Sequence, residues 1–401
     1  MSKIEYTSVQ GKSPAYFGLL GTLGLFILAG LLAAYYMEHH GHHVTGMTNQ
    51  IVWGLPHVFA IFLIVSASGA LNVASIASVF SKKIYEPMAR LSALLAVSLL
   101  AGGLVVLLLD LGRPDRLIIA MTHYNFKSIF AWNIILYSGF FVFVGAYLWT
   151  MMDHTVYGYK KYAGFFAFIW RLILTTGTGA IFGFLVARST YDAAILAPMF
   201  VIMSFAYGLA IFILLLMATY KWTNMELGDA VLRRLRSLLG VFVAAVMYFT
   251  IVFHLTNIYE TQHHGAEKFI LLEGGIYTTV FWIGEIIIGG ILPLLMIFAP
   301  GLKDNRNSLG LISAMVILGG LSKVYVTVIG GQAYPLEIFP GYEVSSSFYD
   351  GMTYSYSPSL PEFLLGLGGV AVALFLVVFA LKALKFLPMS LSDKAVDPHA
   401  K

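Results

Sequence analysis

A carboxylate stands at the end of a long apolar run, in the stretch Asp110-Leu-Gly-Arg113-Pro-Asp-Arg116. An Asp at the C-terminal end of a helix faces the negative end of the helix dipole, and at the edge of a bilayer it is also partly desolvated, so both effects disfavour its ionised form. Arg113, three residues on, can offset this. The pattern indicates a carboxyl that takes up or releases a proton beside a bound ligand. A capped, salt-bridged helix end is the alternative.

A histidine and an aromatic ring occur earlier in the sequence, in Trp53-Gly-Leu-Pro-His57. A tryptophan, a helix-opening proline and a histidine suit a pocket for a flat ring that carries oxygen substituents. By depth along their predicted spans, His57, Asp110 and His254 lie at one level of the membrane. A histidine and a carboxyl at one level can exchange the protons that accompany quinone chemistry. Each histidine taken alone is more typical of hydrogen bonding between helices.

A second set of ionisable residues is deeper. Glu285 and Lys323 lie about 10–12 Å from the outer ends of their predicted spans, and Arg171 lies in the inner half of its own span. Together with His254 they are candidates for a proton path. The alternative is a buried ion pair that only fixes the packing of the helices.

The sequence has no cysteine, so it provides for no disulfide, no cysteine-ligated iron–sulfur cluster and no covalently attached c-type haem. Any such redox centre must belong to a partner subunit. Haem b usually needs an axial histidine, and within the predicted spans only His57 and His254 are available, so a haem b cytochrome is an alternative interpretation. The tract from His39 to His43 has residue types that bind metals but no zinc spacing. We predict a solvated loop there and no metal site.

The composition is that of a polytopic membrane protein: 59% of the 401 residues are hydrophobic, 11% are charged, and the mean hydropathy is +0.83. Apolar runs of about 20 residues, each long enough to cross the hydrocarbon core, recur along the sequence. The first run is too long for the apolar region of a signal peptide, so we predict an uncleaved helix. The all-α fold has ten predicted spans, at 15–37, 52–80, 91–110, 128–150, 162–188, 193–220, 237–258, 277–299, 309–330 and 361–386.

Lys and Arg are distributed unequally between the two sides of these spans. Seventeen of the 24 fall on the side of the N terminus, five fall on the opposite side and two fall within spans. Basic residues concentrate in cytoplasmic loops, so we predict a cytoplasmic-membrane protein with both termini in the cytoplasm. The opposite face, called the outer face below, then carries the Asp110 motif.

A faint internal repeat aligns residues 90–97 with residues 234–241 and places His254 opposite Asp110. It predicts two four-helix bundles, one from spans two to five and one from spans six to nine, with spans one and ten peripheral. The predicted parts of the protein are the tail, first span and His-rich outer loop (1–51), the first bundle (52–150 and 162–188), the second bundle (193–330), an outer loop (331–360), and the last span with a cytoplasmic tail (361–401).

The outer loop 331–360 is long and contains no Lys or Arg. It combines several Tyr and Phe residues with Glu337, Glu343 and Asp350. Long loops without periodicity are more often functional than idle, and aromatic residues are enriched in protein interfaces. This loop is therefore predicted to dock another protein, although interfacial aromatic residues also anchor helices in lipid.

Four motifs together resemble the NrfD/PsrC family of integral membrane subunits, over nearly the whole sequence. They are Trp53-Gly-Leu-Pro-His57, Asp110-Leu-Gly-Arg-Pro-Asp-Arg116, Ser128-Ile-Phe-Ala-Trp-Asn133 and Gly330-Gly-Gln-Ala-Tyr-Pro-Leu-Glu-Ile-Phe-Pro-Gly341. The number of spans and the long loop before the last one are most similar to the ten-helix branch, which includes DsrP of the DsrMKJOP complex and HmcC.

The resemblance implies a membrane anchor of a sulfur-metabolism type of oxidoreductase complex, with a non-covalent menaquinone or ubiquinone site near the outer face of the first bundle. It assigns that site to His57 and Asp110, with Trp53, Arg113 and Asn133 as neighbours. A ferredoxin-like [4Fe–4S] subunit on the outer face, and further cytochrome and membrane subunits, are implied as partners; no nucleic acid is expected. Proton translocation would use His254 together with the deeper residues Glu285, Lys323 and Arg171. Alone, the protein would be inactive.

A secondary transporter is the alternative from another functional class. Internal repeats and charged residues near the bilayer midplane also occur in transporters. That interpretation predicts interrupted helices around Glu285 and Lys323 and no redox partner on the outer face.

Overall fold

The computed structural model describes residues 5–302, 304–336 and 351–396. Within these ranges, ten helices are long and apolar enough to cross a membrane, which confirms the predicted all-α polytopic fold. They are α1 Pro14–His40, α2 Leu55–Ser78, α3 Lys83–Leu109, α4 Ile129–Met152, α5 Tyr157–Gly183, α6 Leu196–Thr223, α7 Asp229–Tyr259, α8 Ile276–Phe298, α9 Arg306–Ala333 and α10 Leu360–Ala383.

The first and last described segments pair with each other. Strand β1, Tyr6–Thr7, pairs antiparallel with strand β2, Leu387–Pro388, just after α10. The guanidinium of Arg90, at the start of α3, lies over the ring of Tyr6 at 3.8 Å. With an even number of spans, this places the described ends on the same side.

Helix α7 begins eight residues earlier than predicted, because a charged stretch that reads as a loop is helical. Arg236 is 4% exposed, and its guanidinium donates hydrogen bonds to the carbonyl of Met296 (2.6 Å), near the end of α8, and to that of Leu302 (2.5 Å), in the turn that follows α8. Carbonyls at and just beyond a helix end are available to accept from a cation. The charge is thereby accommodated inside the packed structure.

The helices pack as neighbours in two groups. Helix α2 packs on α3 and α4 packs on α5, while α6 packs on α7 and α9, and α8 packs on α9. The groups meet where α2 lies against α6. Helix α10 packs on α2 and α3, and α1 packs on α10. We keep two four-helix bundles as our interpretation of these contacts.

The junction between α2 and α6 depends on two glycines. A Cβ atom on Gly69 would collide with the carbonyl of Ser204, and a Cβ on Gly208 would collide with the backbone of Gly69 and Ala70. Small residues allow membrane helices to approach this closely. The backbones of the two groups are therefore in direct contact at mid-helix.

The end of the outer loop folds back onto the helices. The Tyr354 amide donates to the carbonyl of Ala333, and the Tyr356 amide donates to the hydroxyl of Tyr277. Tyr356 is 6% exposed, so this tyrosine packs inward and does not belong to an exposed docking surface. Glu337, Glu343 and Asp350, on which the docking prediction depends, lie outside the described residues.

Replacing Gly208 with Leu is expected to separate α6 from α2. Overpacking a tight contact costs roughly 1–3 kcal/mol, so the detergent-solubilised complex should melt several degrees lower than the wild type in a thermal-unfolding assay. Gly145→Leu is the matched control, because a Cβ at Gly145 meets nothing within 4 Å. Equal melting temperatures for both variants would contradict the close junction.

Candidate functional site

A cavity of about 700 Å³ lies among α2, α3, α4 and α5 at the outer face. Ligand pockets in proteins usually range from about 300 to 1,000 Å³. Most of its lining is aliphatic or aromatic, and the polar groups are few. The residues used below are Trp53, His57, Arg113, Asn133 and Phe182, all of which line it.

His57 and Asp110 meet at the wall of this cavity. His57 is the third residue of α2, which opens with Pro56 in its first turn, where a missing N–H has no consequence. Asp110 caps the C-terminal end of α3. The Nδ1 atom of His57 lies 2.7 Å from Oδ2 of Asp110, and the Asp110 side chain has no solvent exposure. Two helix ends at the same depth therefore place a carboxylate behind an imidazole.

The Asp110 carboxylate is otherwise poorly satisfied. Among the residues that the structure describes, neither of its oxygens has a hydrogen-bond partner of regular geometry, although Oδ2 is in contact with His57. A buried carboxylate needs a proton or a cation nearby. The pair can therefore hold one proton as an imidazolium facing a carboxylate, or as an imidazole facing a carboxylic acid.

Asn133 presents an unpartnered acceptor at the same cavity. Its Nδ2 atom donates to the carbonyls of Ile129 (2.9 Å) and Gly177 (3.2 Å), which fixes the orientation of the amide. Its Oδ1 atom is buried and has no hydrogen-bond partner in the described parts of the protein. An orphaned buried oxygen on a cavity wall is available to a ligand hydroxyl.

Arg113 does not pair with Asp110, contrary to the sequence-based expectation. Its guanidinium binds the Asp115 carboxylate in a bidentate ion pair, at 3.0 and 2.9 Å, on the exposed surface. This hydrogen bonding lowers the pKa of the Asp115 carboxyl. Arg113 directly precedes the short turn Pro114–Arg116, which carries its partner Asp115. Arg113 still lines the cavity.

The segment that carries Trp53 is fixed from the other half of the molecule. The indole of Trp53 stacks on the His57 ring, with centroids 6.2 Å apart and planes at 25°. Gln332, at the end of α9, accepts from the amides of Val52 (2.9 Å) and Trp53 (3.0 Å) and donates to the Trp53 carbonyl (3.0 Å). The Gln332 side chain thus provides the backbone hydrogen bonds that a neighbouring strand would otherwise supply to this segment.

Two further contacts hold the same segment. Arg188 donates to the carbonyls of Gln50 (2.8 Å) and Gln332 (3.1 Å). The Tyr356 hydroxyl accepts from the Leu55 amide (2.7 Å) and donates to Glu362 (2.6 Å), which is completely buried. Burial and the adjacent carboxylate raise the pKa of Tyr356, so the hydroxyl keeps the proton that it donates.

Sequence reasoning missed Gln332 and Glu362 as supports of the site. Gln332 lies in the Gly330–Gly341 motif, which reads as an outer loop, whereas α9 continues to Ala333. A helical interpretation of Gly330-Gly-Gln332 would have placed an amide at a helix end. Glu362 follows Ser359 by three residues, and the two form a capping box at the start of α10.

The deeper residues of the second group form two separate clusters. In the outer cluster, His254 Nδ1 lies 2.7 Å from Glu267 Oε2, and Asn257 donates to Glu267 Oε1 at 2.8 Å. In the inner cluster, Lys323 donates to Glu285 (2.5 Å) and to Thr250 (3.0 Å). Glu267 was not predicted, because by sequence it belongs to an exposed loop, yet it is 5% exposed.

A small cavity of about 40 Å³ touches both clusters, since His254, Glu267, Glu285 and Lys323 all line it. It is large enough to hold water, since a polar site needs only about 10–15 Å³ to admit one molecule. A second cavity of about 10 Å³ touches Glu285 on its inner side. Near these residues, α8 and α9 contain π-helical segments, at Val280–Ile291 and Val326–Gly330. Such turns are frequent at functional sites.

Arg171 belongs to neither cluster. It is 3% exposed, and its guanidinium donates to the Ser68 carbonyl (2.9 Å) and to Asn72 (2.7 Å) in α2. The rings of Phe168 and Phe205 lie 5.1 and 5.2 Å from it. These contacts place Arg171 at the packing of α5 against α2, apart from the predicted path.

The two span histidines do not face a common space. His57 lines the large cavity, whereas His254 lines the small one, and each histidine has its Nδ1 atom against its own carboxylate. The helices therefore do not bring the two histidines together to bind one haem.

Similarity to known proteins extends along nearly the whole sequence. The protein is 27% identical over 400 residues to the Hdr-like menaquinol oxidoreductase integral membrane subunit of Archaeoglobus fulgidus, with 98% of this sequence and 99% of the relative covered. A selenate reductase subunit of Mesobacillus selenatarsenatis is 25% identical, over 90% of this sequence and 92% of its own. A polysulfide reductase subunit of Wolinella succinogenes is 24% identical, over 71% and 96%.

A family model described as "Polysulphide reductase, NrfD" matches residues 43–335, from the end of the His-rich tract to the first residues after α9. The matched range includes both clusters and every residue of the large cavity named above. It spans well over half of the sequence. The protein is therefore an integral membrane subunit that belongs to the NrfD/PsrC family.

Proposed function

We propose that this protein is the quinol-reactive membrane subunit of a multi-subunit oxidoreductase complex, and that quinol binds in the large cavity against His57, Asp110 and Asn133. One observation carries the proposal: His57, with the buried Asp110 carboxylate against its Nδ1, and Asn133, with an unpartnered amide oxygen, both line one mostly apolar cavity. Three of the relatives are named as a menaquinol oxidoreductase subunit and as parts of selenate and polysulfide reductases.

The chemistry of the cavity suits a quinol ring. Its volume of about 700 Å³ accommodates the ring with part of an isoprenoid tail, and aromatic walls from Trp53 and Phe182 suit a flat molecule. Asn133 Oδ1 can accept a hydrogen bond from one hydroxyl. Asp110 faces Nδ1 of His57 and so favours the tautomer with its proton on Nδ1. In that tautomer Nε2 can accept a hydrogen bond from the other hydroxyl.

A bound quinol supplies two electrons and two protons on oxidation. His57 acts as the general base, and Asp110 stabilises the imidazolium that forms, by the same logic as a carboxylate behind a catalytic histidine. Asp110 can then take the proton from Nδ1, which returns His57 to its neutral form. Running these transfers in reverse serves quinone reduction.

The electrons must leave to a partner, because a cysteine-free protein holds no iron–sulfur cluster of the cysteine-ligated kind. We place a ferredoxin-like [4Fe–4S] subunit on the outer face, next to the cavity, and further cytochrome and membrane subunits as in a DsrMKJOP-like, sulfur-metabolism type of complex. The excess of Lys and Arg on the side of the termini supports an orientation with both termini in the cytoplasm of a cytoplasmic-membrane protein.

We further propose that the second group of helices conducts protons. The His254–Glu267 cluster and the Glu285–Lys323 cluster touch one small cavity, so water within it would join them. A secondary transporter, the alternative function, would also have irregular helices here, and the π-helical segments fit that expectation as well. Family membership favours a proton path coupled to quinol oxidation over transport of another solute.

His57→Ala in the assembled complex is expected to abolish saturable binding of a fluorescent quinol analogue and to lower quinol oxidation by about 100-fold or more, the usual contribution of a general base. His254→Ala is the matched control, since it removes another carboxylate-paired histidine at the same predicted membrane level. The control should bind the analogue with wild-type affinity. Binding that survives in His57→Ala but fails in His254→Ala would move the site to the second group.

Proton conduction is tested with a double variant, Glu285→Leu with Lys323→Met, which removes both buried charges together. Removing only one would leave an unpaired charge and could unfold the helices. In proteoliposomes the variant is expected to oxidise quinol but to lose most of the proton translocation per electron pair. Ser322→Ala, one residue away, changes a hydroxyl that bonds its own helix backbone and should translocate normally. Undiminished translocation in the double variant would contradict the path.

A further inference from the structure

One histidine of the outer tract reaches the loop that follows Asp110. His42 begins a short turn, His42–Val44, after the end of α1. A Cβ atom placed on Gly112 would lie 3.7 Å from both Nε2 and Cδ2 of the His42 ring, so the ring packs on this glycine. Gly112 is two residues beyond Asp110. The turn after the first helix thereby brings an imidazole to the loop that follows Asp110.

His42 is unusual in its own tract. His39 stacks on Tyr35, and His40 bonds the Tyr36 carbonyl at 3.1 Å, so both rings stay along α1. Both ring nitrogens of His42 are buried, and neither has a hydrogen-bond partner among the described residues. A buried imidazole with two unsatisfied nitrogens requires water or another polar group at each of them.

A gradient of exposure runs outward from Asp110. The Asp110 side chain is 0% exposed, that of His42 is 27% exposed and that of Glu38 is 33% exposed. The Nε2 atom of His42 lies 4.0 Å from Oε1 of Glu38, one turn back on α1. Asp110 is thus enclosed, whereas His42 and Glu38 lie beside each other and are both partly exposed.

We propose that His42 and Glu38 carry the protons of the quinol site between Asp110 and the outer aqueous phase. This inference rests on the proposed function. Oxidation of one quinol releases two electrons, which go to the iron–sulfur partner, and two protons, which the His57–Asp110 pair takes up one at a time, the first leaving Asp110 outward before the second arrives. Asp110 has no exposed surface from which to release them. A water molecule between its free Oδ1 and the His42 ring would complete the transfer, because an imidazole can accept a proton at one ring nitrogen and release one from the other.

The test compares His42→Ala with His43→Ala, its exposed neighbour in the same tract, in the purified complex. Quinol oxidation is measured with an artificial electron acceptor, and affinity is measured with the fluorescent quinol analogue. His42→Ala is expected to lower kcat by about tenfold or more while KM and analogue affinity stay at wild-type values. Imidazole in the buffer should restore part of the lost kcat. His43→Ala should match the wild type.

Two results would overturn the proposal: an unchanged kcat in His42→Ala, or a loss of analogue affinity that matches the loss of kcat and that imidazole does not rescue. If His42→Ala fails to assemble, Glu38→Gln and His42→Gln supply the same comparison. Failure of the wild-type complex itself to bind or oxidise quinol would instead contradict the proposed function, so the two failures are distinguishable.

Discussion

The contact between His57 and Asp110 is the interaction on which the rest of the structure depends. A carboxylate without solvent at the edge of a membrane is unfavourable unless a proton or a cation accompanies it. His57 and Asp110 belong to different helices, so the first turn of α2 and the last turn of α3 must lie at the same depth. The turn through Gly112 to Pro114 and the proline-opened start of α2 both serve this requirement.

The pair needs a rigid cavity wall, and residues distant in sequence hold that wall in place. Gln332, Arg188 and Tyr356 all bind the backbone of the segment from Gln50 to Leu55, which has no secondary-structure partner of its own in the described structure. The glycine contact between α2 and α6 ties the same two halves at mid-membrane. The wall of the proposed quinol site is therefore held by contacts from both groups of helices.

Much of this arrangement is predictable from sequence, because hydrophobic run length and depth counting need no tertiary information. They predict ten spans and bring His57 and Asp110 to one level. The ion-pair and hydrogen-bond partners of individual side chains are harder to predict. Arg113 pairs with Asp115, two residues on, and Glu267 pairs with His254 although its segment reads as a loop. Arg171 satisfies its charge on a neighbouring helix. These outcomes depend on contacts between segments far apart in sequence, which periodicity does not encode.

Photolabelling of the assembled complex with a reactive menaquinone analogue, followed by mass spectrometry of the labelled peptides, tests the central claim most directly. Label is expected in α2 and α4, on peptides that contain His57 and Asn133, and an excess of unlabelled menaquinol should displace it. Both residues line the apolar cavity from different helices, so joint labelling would locate the ring between them. Displaceable label confined to α6 through α9 would contradict a quinol site at the His57–Asp110 pair.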